Sequence, residues 1–295
     1  MFTGLSGCMF FCTKSHFWTE LSKFVILSKT PEKIQKLILG SLRKIKGGEI
    51  EMTKRRIFVT GDVHGWHDIC KLNKDKFLVG NTLCKDDILI ICGDAGIIWD
   101  GTVNDEEKIL WYEQRPWTTI YCDGNHENFD LLSTYPIVDF HGAKAHKLGD
   151  SVYHILRGEI MELEDGRTFL FFGGAFSHDY QYRTKNVNWF EEELPVQGEI
   201  DNCISNLQKY DYKVDYCITH DLPTRFCMQM GYYNMNFSMM QNYSRQYINI
   251  HAVLDNIYEM TTFKTWFAGH YHEDKKMYGK SPVQVLMDNI VEINS

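Results

Sequence analysis

Five apolar runs in this chain each end in an Asp, Asn or His, and this repetition constrains the fold more than any other feature of the sequence. The runs with their flanking residues read IFVTGDVHG from Ile57, ILIICGDAG from Ile88, TTIYCDGNHE from Thr118, YCITHDLP from Tyr216 and TWFAGHYH from Thr265. Short apolar runs that stop at turn residues are typical of buried strands. In open α/β sheets, ligand sites lie at the carboxyl ends of the strands. The sequence therefore predicts an α/β domain whose strand ends meet at one site.

The polar side chains at these strand ends form a mixed oxygen and nitrogen donor set. They are Asp62, His64, Asp94, Asn125, His126, His220, His270 and His272. Asp62 and His64 are two residues apart, so an extended backbone points both side chains the same way. A single polar residue at a strand end is usually a loop residue, whereas five such ends indicate a shared polyvalent ligand. Carboxylate, amide and imidazole donors together suit divalent transition metals.

The order of the motifs GDVHG, GDAG, GNHE, TH and GHYH resembles the calcineurin-like metallophosphoesterase superfamily, from about Lys54 to the C-terminus. The resemblance implies a four-layer α/β/β/α sandwich of mixed β-sheets with helices outside. It also implies two metal ions with Asp94 bridging them. By this resemblance one metal is held by Asp62, His64, Asp94 and His272, and the other by Asp94, Asn125, His220 and His270.

The same resemblance implies hydrolysis of a phosphate ester by metal-bound hydroxide. His126 matches the family's catalytic histidine, which lies near the leaving-group oxygen and not on a metal. Two cations about 3.5–4 Å apart clamp the attacking and leaving oxygens at phosphorus and lower the pKa of bound water. Histidine titrates near neutral pH, so His126 can assist the leaving group. Mn²⁺, Fe and Zn²⁺ all suit the donor set, and the sequence does not choose among them.

The motifs depart from the Ser/Thr phosphoprotein phosphatase branch at two places. In that branch the second motif continues to Asp-Arg-Gly, whereas AGIIW follows Asp94 here, and Asp123 stands where a phosphate-binding arginine often precedes the GNH motif. The run GGAFSHDYQYR, Gly173 to Arg183, resembles instead a subgroup of bacterial and phage members. Arg183 is a candidate substitute for the phosphate-binding arginine, or else a surface loop residue. His178 is a candidate substrate contact or accessory ligand, or else a loop histidine.

Three interpretations of function follow. We expect a hydrolase acting on a small phosphate ester; the rivals are a catalytically inactive scaffold with this fold and a phosphoprotein phosphatase. A scaffold predicts losses at the ligand positions, and all seven ligands and His126 are present. The formal net charge of −8 disfavours nonspecific tracking of nucleic acid. The sequence does not separate a monoesterase from a diesterase, or specify the oligomeric state.

The cysteines and the hydropathy indicate a cytoplasmic protein. The nine cysteines are dispersed and contain no C-x-x-C pair, a pattern typical of reduced thiols rather than of a disulfide framework or zinc finger. No apolar run reaches the ~18 residues expected of a membrane span.

Residues 1–51 lie outside the motif set and are basic, with eight Lys and Arg against four Asp and Glu. Pro31 to Lys46 has the spacing of a basic amphipathic helix. The preferred interpretation is different: Gly47 to Met52, GGEIEM, can be encoded by a purine-rich run resembling a bacterial ribosome-binding site, which makes Met52 the start. This predicts a disordered or mis-assigned extension over 1–51 and a metallophosphoesterase domain over 52–295.

Four further segments carry structural expectations. Asn104 to Arg115 predicts a helix capped by Asn104. Asp165-Gly166 predicts a hairpin turn, and the alternation over Pro282 to Ile293 predicts one final strand. Residues 225–260, rich in Met, Tyr and Asn, are either a mobile lid or an insert packed on the sheet edge, and the second is favoured.

Overall fold

The computed structural model describes residues 44–46, 49–51, 55–232 and 239–293. The chain divides into two units, Met1–Thr53 and Lys54–Ser295. In the first unit, β1 (Lys44–Lys46) and β2 (Glu49–Glu51) pair as an antiparallel hairpin. The alternative helix over Pro31 to Lys46 would end where β1 lies; the rest of that segment, and most of the predicted extension, fall outside the described residues.

A seven-stranded sheet carries the first three motif strands of the second unit. Its order is β15-β3-β4-β5-β8-β7-β6. The strands are β3 (Ile57–Thr60), β4 (Ile88–Ile91), β5 (Thr118–Tyr121), β6 (Ile137–Phe140), β7 (Ala143–Gly149), β8 (Val152–Ile155) and β15 (Val291–Glu292). The strands β3, β4, β5 and β8 run parallel. The first three are buried along their whole length, as expected for strands covered on both faces.

A six-stranded sheet carries the other two motif strands. Its order is β13-β14-β12-β11-β10-β9. The strands are β9 (Glu159–Glu162), β10 (Thr168–Phe172), β11 (Tyr216–Thr219), β12 (Thr265–Ala268), β13 (Lys275–Tyr278) and β14 (Pro282–Val285). The four inner strands are parallel and the two edge strands antiparallel to them. The motif strands of the chain are thus shared between two sheets.

Five α-helices lie among the described residues, with short 3₁₀ turns between elements. They are α1 (Val103–Glu113), α2 (Phe129–Leu132), α3 (Gln197–Lys209), α4 (Thr224–Gln229) and α5 (Ile250–Met260). Helix α1 begins one position before the predicted cap, because the Thr102 hydroxyl accepts the Asn104 N–H. The Asn104 side chain instead accepts a hydrogen bond from Trp66.

The two sheets pack face to face, and helices cover their outer faces. The inner core joins Ile57 and Ile90 of one sheet to Phe169 and Ile218 of the other. One outer core packs Tyr112 of α1 against the seven-stranded sheet. Another packs side chains of α3 and α5 against the six-stranded sheet. This arrangement confirms the predicted four-layer α/β/β/α sandwich of mixed sheets.

Three local expectations meet the structure differently. The turn at Asp165-Gly166 joins β9 and β10 as an antiparallel hairpin, as predicted. The predicted final strand is wrong, because Pro282 to Ile293 contributes β14 to one sheet and β15 to the other. Alternation alone does not show where a chain leaves one sheet for another. In the insert, Tyr247 and Ile250 lie in an outer core, which supports packing; its residues 233–238 lie outside the described part.

Two properties of the described residues bear on the remaining expectations. Their seven cysteines are free thiols. No helix among the same residues is long and apolar enough to cross a membrane.

A buried histidine pair joins β7 to β8. His146 and His154 face each other in the strand register, with 3.1 Å between their Nδ1 atoms. His154 Nε2 lies 3.3 Å from Asp123 Oδ1, so this nitrogen donates and His154 Nδ1 accepts from His146. Burial, followed by the neighbouring His154 ring, lowers the pKa of His146 to about 4.

We predict that this pair makes the domain sensitive to acid. The unfolded chain binds a proton at His146 below about pH 6.5 while the folded chain resists protonation until about pH 4, so stability falls as pH falls through this window. His146→Gln should reduce the loss of unfolding free energy between pH 7 and pH 5 by about 1–2 kcal/mol. Urea unfolding at both pH values measures it, with the exposed-histidine variant His67→Gln as control. An unchanged pH dependence in His146→Gln would contradict the prediction.

Candidate metal centre

Asp94, at the end of β4, lies between two histidines that come from different sheets. Its Oδ2 atom is 3.4 Å from His64 Nε2 and 3.3 Å from His220 Nε2. His64 follows β3 of the seven-stranded sheet, and His220 follows β11 of the six-stranded sheet. Asp62, Asp94 and His220 offer ligand atoms that all lie within 4.8 Å of one another. The carboxyl ends of both sheets therefore meet at one point.

The other predicted ligands join the same cluster. His272 Nε2 is 3.3 Å from Asp62 Oδ2, and these residues with His64 form a second group whose ligand atoms lie within 4.8 Å. Asn125 Oδ1 is 3.2 Å from His220 Nε2. The His270 ring lies 5.0 Å from the His220 ring. The structure thus brings all seven predicted ligands together.

Two histidines are held with one ring nitrogen turned toward the cluster. His220 Nδ1 donates to the Cys92 carbonyl at 2.8 Å, and His64 Nδ1 lies 2.8 Å from Asp68 Oδ2. A ring that donates from Nδ1 leaves the Nε2 lone pair free for a metal, and partners of this kind fix ring orientation. Sequence reasoning missed Asp68, whose signal is a carboxylate four residues after His64 in GDVHGWHD.

The backbone is strained at four of the candidate ligands. His64 (φ 48°), Asp94 (φ 48°), His270 (φ 70°) and His272 (φ 50°) are all left-handed. Such conformations cost on the order of 1 kcal/mol each in residues with a Cβ, and they cluster at functional sites. Little space is left around these side chains, since a Cβ at Gly93 would lie 2.3 Å from the His220 ring. Packing between the sheets has to hold these side chains in place.

The electrostatics of the cluster depend on its buried carboxylates. Burial opposes ionisation of Asp94, but His220 and His64 outweigh it and hold the pKa of Asp94 well below its usual range. Burial lowers the pKa of His64 and His220, yet Asp94 and Asp62 raise them to about 9 and about 10. The two carboxylates thus favour positive charge beside them. A bound cation would supply that charge and would compete with protons for the imidazole nitrogens.

The residues present fit divalent metal. The donors are buried carboxylate, amide and imidazole groups, the set that divalent transition metals accept. His270 Nε2 is buried and has no hydrogen-bond partner among the described residues. Such an orphaned nitrogen is costly unless something binds it.

The comparisons with known proteins agree with this geometry. The model of the family described as calcineurin-like phosphoesterase matches residues 55–274. The chain belongs to this family. Membership makes it a phosphoester hydrolase, and the family typically binds divalent metals.

Two solved structures are distantly similar to this calcineurin-like phosphoesterase. A phosphopantetheinyl hydrolase from Mycobacterium tuberculosis is 12% identical, with 79% of this chain and 90% of that chain covered and a TM-score of 0.39. A putative 5'-nucleotidase from Staphylococcus aureus is 11% identical, with 80% of this chain and 50% of that chain covered and a TM-score of 0.37. No curated protein sequence matches the chain. Neither solved structure identifies a substrate here.

His126 lies beside the candidate metal ligands of this calcineurin-like phosphoesterase without joining them. Its backbone N–H donates to Asp94 Oδ1 at 2.7 Å. Its ring lies nearly parallel to Trp99, with 6.4 Å between centroids and 27° between planes. Its Nε2 atom is 2.7 Å from Arg183 Nη2, and Arg183 is also paired with Asp179 at 2.8 Å. The Arg183 side chain therefore lies against the ring of His126.

The rest of the Gly173 to Arg183 run also borders the centre. Ser177 Oγ lies 3.3 Å from Asn125 Nδ2, which leaves Asn125 Oδ1 directed at the ligands. Ser177 in turn donates to the buried Glu193 carboxylate at 2.6 Å. The exposed His178 ring stacks on His270 with 5.3 Å between centroids. Sequence reasoning missed Ser177 and Glu193, because a single serine and a run of glutamates carry no ligand signal.

Asp123 takes no part in the cluster. Its carboxylate is buried and accepts a hydrogen bond from Arg157 Nε at 2.8 Å. Burial opposes its ionisation, but Arg157 and His154 hold its pKa at about 2. The position where related enzymes often carry an arginine is thus filled by a buried ion pair.

We predict that Asp68 sets metal affinity through His64. Asp68→Ala removes the acceptor that orients the His64 ring, so the affinity for divalent metal should fall about 10–100-fold. Competition with a fluorescent chelator measures the loss. Asp68→Asn keeps an oxygen acceptor and should recover most of the affinity. Equal affinity in wild type and Asp68→Ala would contradict the prediction.

Proposed function

We propose that this calcineurin-like phosphoesterase hydrolyses a small phosphate ester at a centre of two divalent cations, of which Mn²⁺, Fe and Zn²⁺ suit the donors. The ligands proposed for the pair are Asp62, His64, Asp94, Asn125, His220, His270 and His272. The observation that carries the proposal is the single Asp94 oxygen that lies close to His64 and His220, two histidines expected on different metals. When bound, the cations would neutralise phosphate oxygens and activate water.

His126 is proposed to assist the leaving group. Its backbone hydrogen bond to Asp94 and the contact of its ring with Arg183 hold it beside the ligands. Burial, then the positive charges of Arg183 and His64, lower its pKa despite the opposing charge of Asp94. From this position the ring can give a hydrogen bond, or a proton once it is charged, to an oxygen that develops negative charge.

Arg183 is proposed to bind the phosphate, and His178 to contact the substrate. The Arg183 side chain is only 8% exposed, with its guanidinium directed at His126. Guanidinium forks bind phosphate oxygens with two donors. A phosphate bound there would compete for the N–H that Arg183 gives to His126, and so would free His126 Nε2.

We predict activity that depends on Asp94 and His126 in different ways. Protein purified without chelator and supplied with Mn²⁺ should hydrolyse p-nitrophenyl phosphate or its bis ester, and the preferred ester separates monoesterase from diesterase. Asp94→Asn should lose both bound metal and activity. His126→Ala should keep its metal and lose about 10²–10⁴-fold in kcat. Metal analysis accompanies each assay.

The same experiment separates the alternatives. No hydrolysis with two metals bound per chain would indicate a narrow natural substrate. No hydrolysis and no metal would overturn the proposal in favour of the inactive scaffold. Hydrolysis that survives Asp94→Asn would place the reaction elsewhere.

We predict that Arg183→Gln weakens substrate binding. Loss of a charged hydrogen bond to phosphate should raise KM about ten- to a hundredfold. Steady-state kinetics on the preferred ester measure it. Arg115→Gln is the matched control, because that guanidinium lies 4.1 Å from the Trp111 ring and has no contact with the centre. An unchanged KM in Arg183→Gln would assign the phosphate to other groups.

A further inference from the structure

A cavity of about 290 Å³ opens beside the candidate metal centre. His64 and His126 belong to its wall, and so do two tryptophans, Trp66 and Trp99. Neither tryptophan is among the site residues that the sequence predicts. The volume is near the lower end of the range for ligand pockets, so one ring system fills it.

The backbone of Trp99 and the indole of Trp66 are held by hydrogen bonds. The Trp99 backbone N–H donates to Asp105 Oδ2 at 2.8 Å, and its carbonyl accepts Asn128 Nδ2 at 2.8 Å. Trp66 is 43% exposed, yet its indole N–H donates to Asn104 Oδ1 at 2.8 Å. An exposed indole tied to one orientation is a preformed apolar surface. Fixed rings bind flat partners at low entropic cost.

The lysine in the cavity wall is already paired with a carboxylate. The Lys108 ammonium donates to the Gly96 carbonyl at 2.8 Å and pairs with Asp105 at 2.9 Å. Lys108 is buried in these contacts, so it is not a free cation for a second phosphate. The cavity therefore suits an uncharged ring rather than another anion.

We propose that this cavity binds a flat aromatic ring carried by the leaving group of the substrate, stacked on Trp99 and bordered by Trp66. The inference rests on the proposed function, which puts the leaving oxygen next to His126. The Trp99 and His126 rings are near neighbours, so a group bonded to that oxygen enters the cavity. The substrate class is then a phosphate ester of an aryl-bearing or heteroaryl-bearing alcohol.

Benzyl phosphate and cyclohexylmethyl phosphate test the inference. Both release an alkoxide from a CH₂ group and differ mainly in whether the ring is flat. Stacking is worth about three- to tenfold, so wild type should prefer benzyl phosphate by that factor in kcat/KM. Trp99→Leu should bring the ratio close to one, and Trp66→Leu should lower it. Trp111→Leu, outside the cavity, should leave it unchanged.

A binding measurement separates this inference from the proposed function. Calorimetry with benzylphosphonate and cyclohexylmethylphosphonate requires no hydrolysis. A benzyl preference that Trp99→Leu abolishes, with no hydrolysis of either ester and no metal bound, would support the cavity and overturn the proposed function. Hydrolysis of both esters at equal kcat/KM, with equal phosphonate affinities, would overturn the cavity and leave the proposed function standing.

Discussion

The candidate site depends on the contacts of one buried residue, Asp94. One carboxylate oxygen faces His64 and His220, and the other accepts the His126 backbone N–H. The Asp94 carbonyl accepts the N–H groups of Val63 and His64 at 3.0 and 2.8 Å. One residue therefore fixes the loop after β3, the loop after β5 and the histidine after β11. Gly124 has to be glycine, because a Cβ there would lie 1.9 Å from the Asp94 carboxylate.

Packing within the sandwich holds this arrangement together. Two buried carboxylates and several strained backbone positions are unfavourable in isolation. The inner core between the sheets and the outer cores beneath the helices fix the strand ends from both sides. This packing keeps the side chain of Asp94, after β4, next to that of His220, after β11. Protein partners also orient the charged groups of the site, as Asp68 orients the ring of His64.

Much of this site could be predicted from the sequence because its signals are local. Each ligand lies a few residues after an apolar run, and parallel strands bring such positions to one edge. The partners could not be predicted, because Ser177 and Arg157 approach from segments distant in sequence from Asn125 and Asp123. The division of Pro282 to Ile293 between two sheets could not be predicted either. Alternation reports which face is buried and does not report which sheet buries it.

The Gly173 to Arg183 run gives this chain a site that differs from the phosphoprotein phosphatase pattern. An arginine beside the GNH motif would be carried by the rigid end of β5, but that position is Asp123, tied to Arg157 in a buried pair. The positive group near His126 is instead the Arg183 guanidinium. It comes from a loop that also contacts Asn125 through Ser177 and stacks His178 on His270.

Because Arg183 donates to His126 Nε2, that nitrogen accepts and is unavailable as an acid. On the proposed function, a phosphate that engages Arg183 removes this donor and adds negative charge close by. Both changes raise the pKa of His126 toward the range where it can protonate a leaving oxygen. Substrate binding would then itself raise the pKa of His126. Arg183→Gln should accordingly lose its linkage between substrate binding and proton uptake, in addition to affinity.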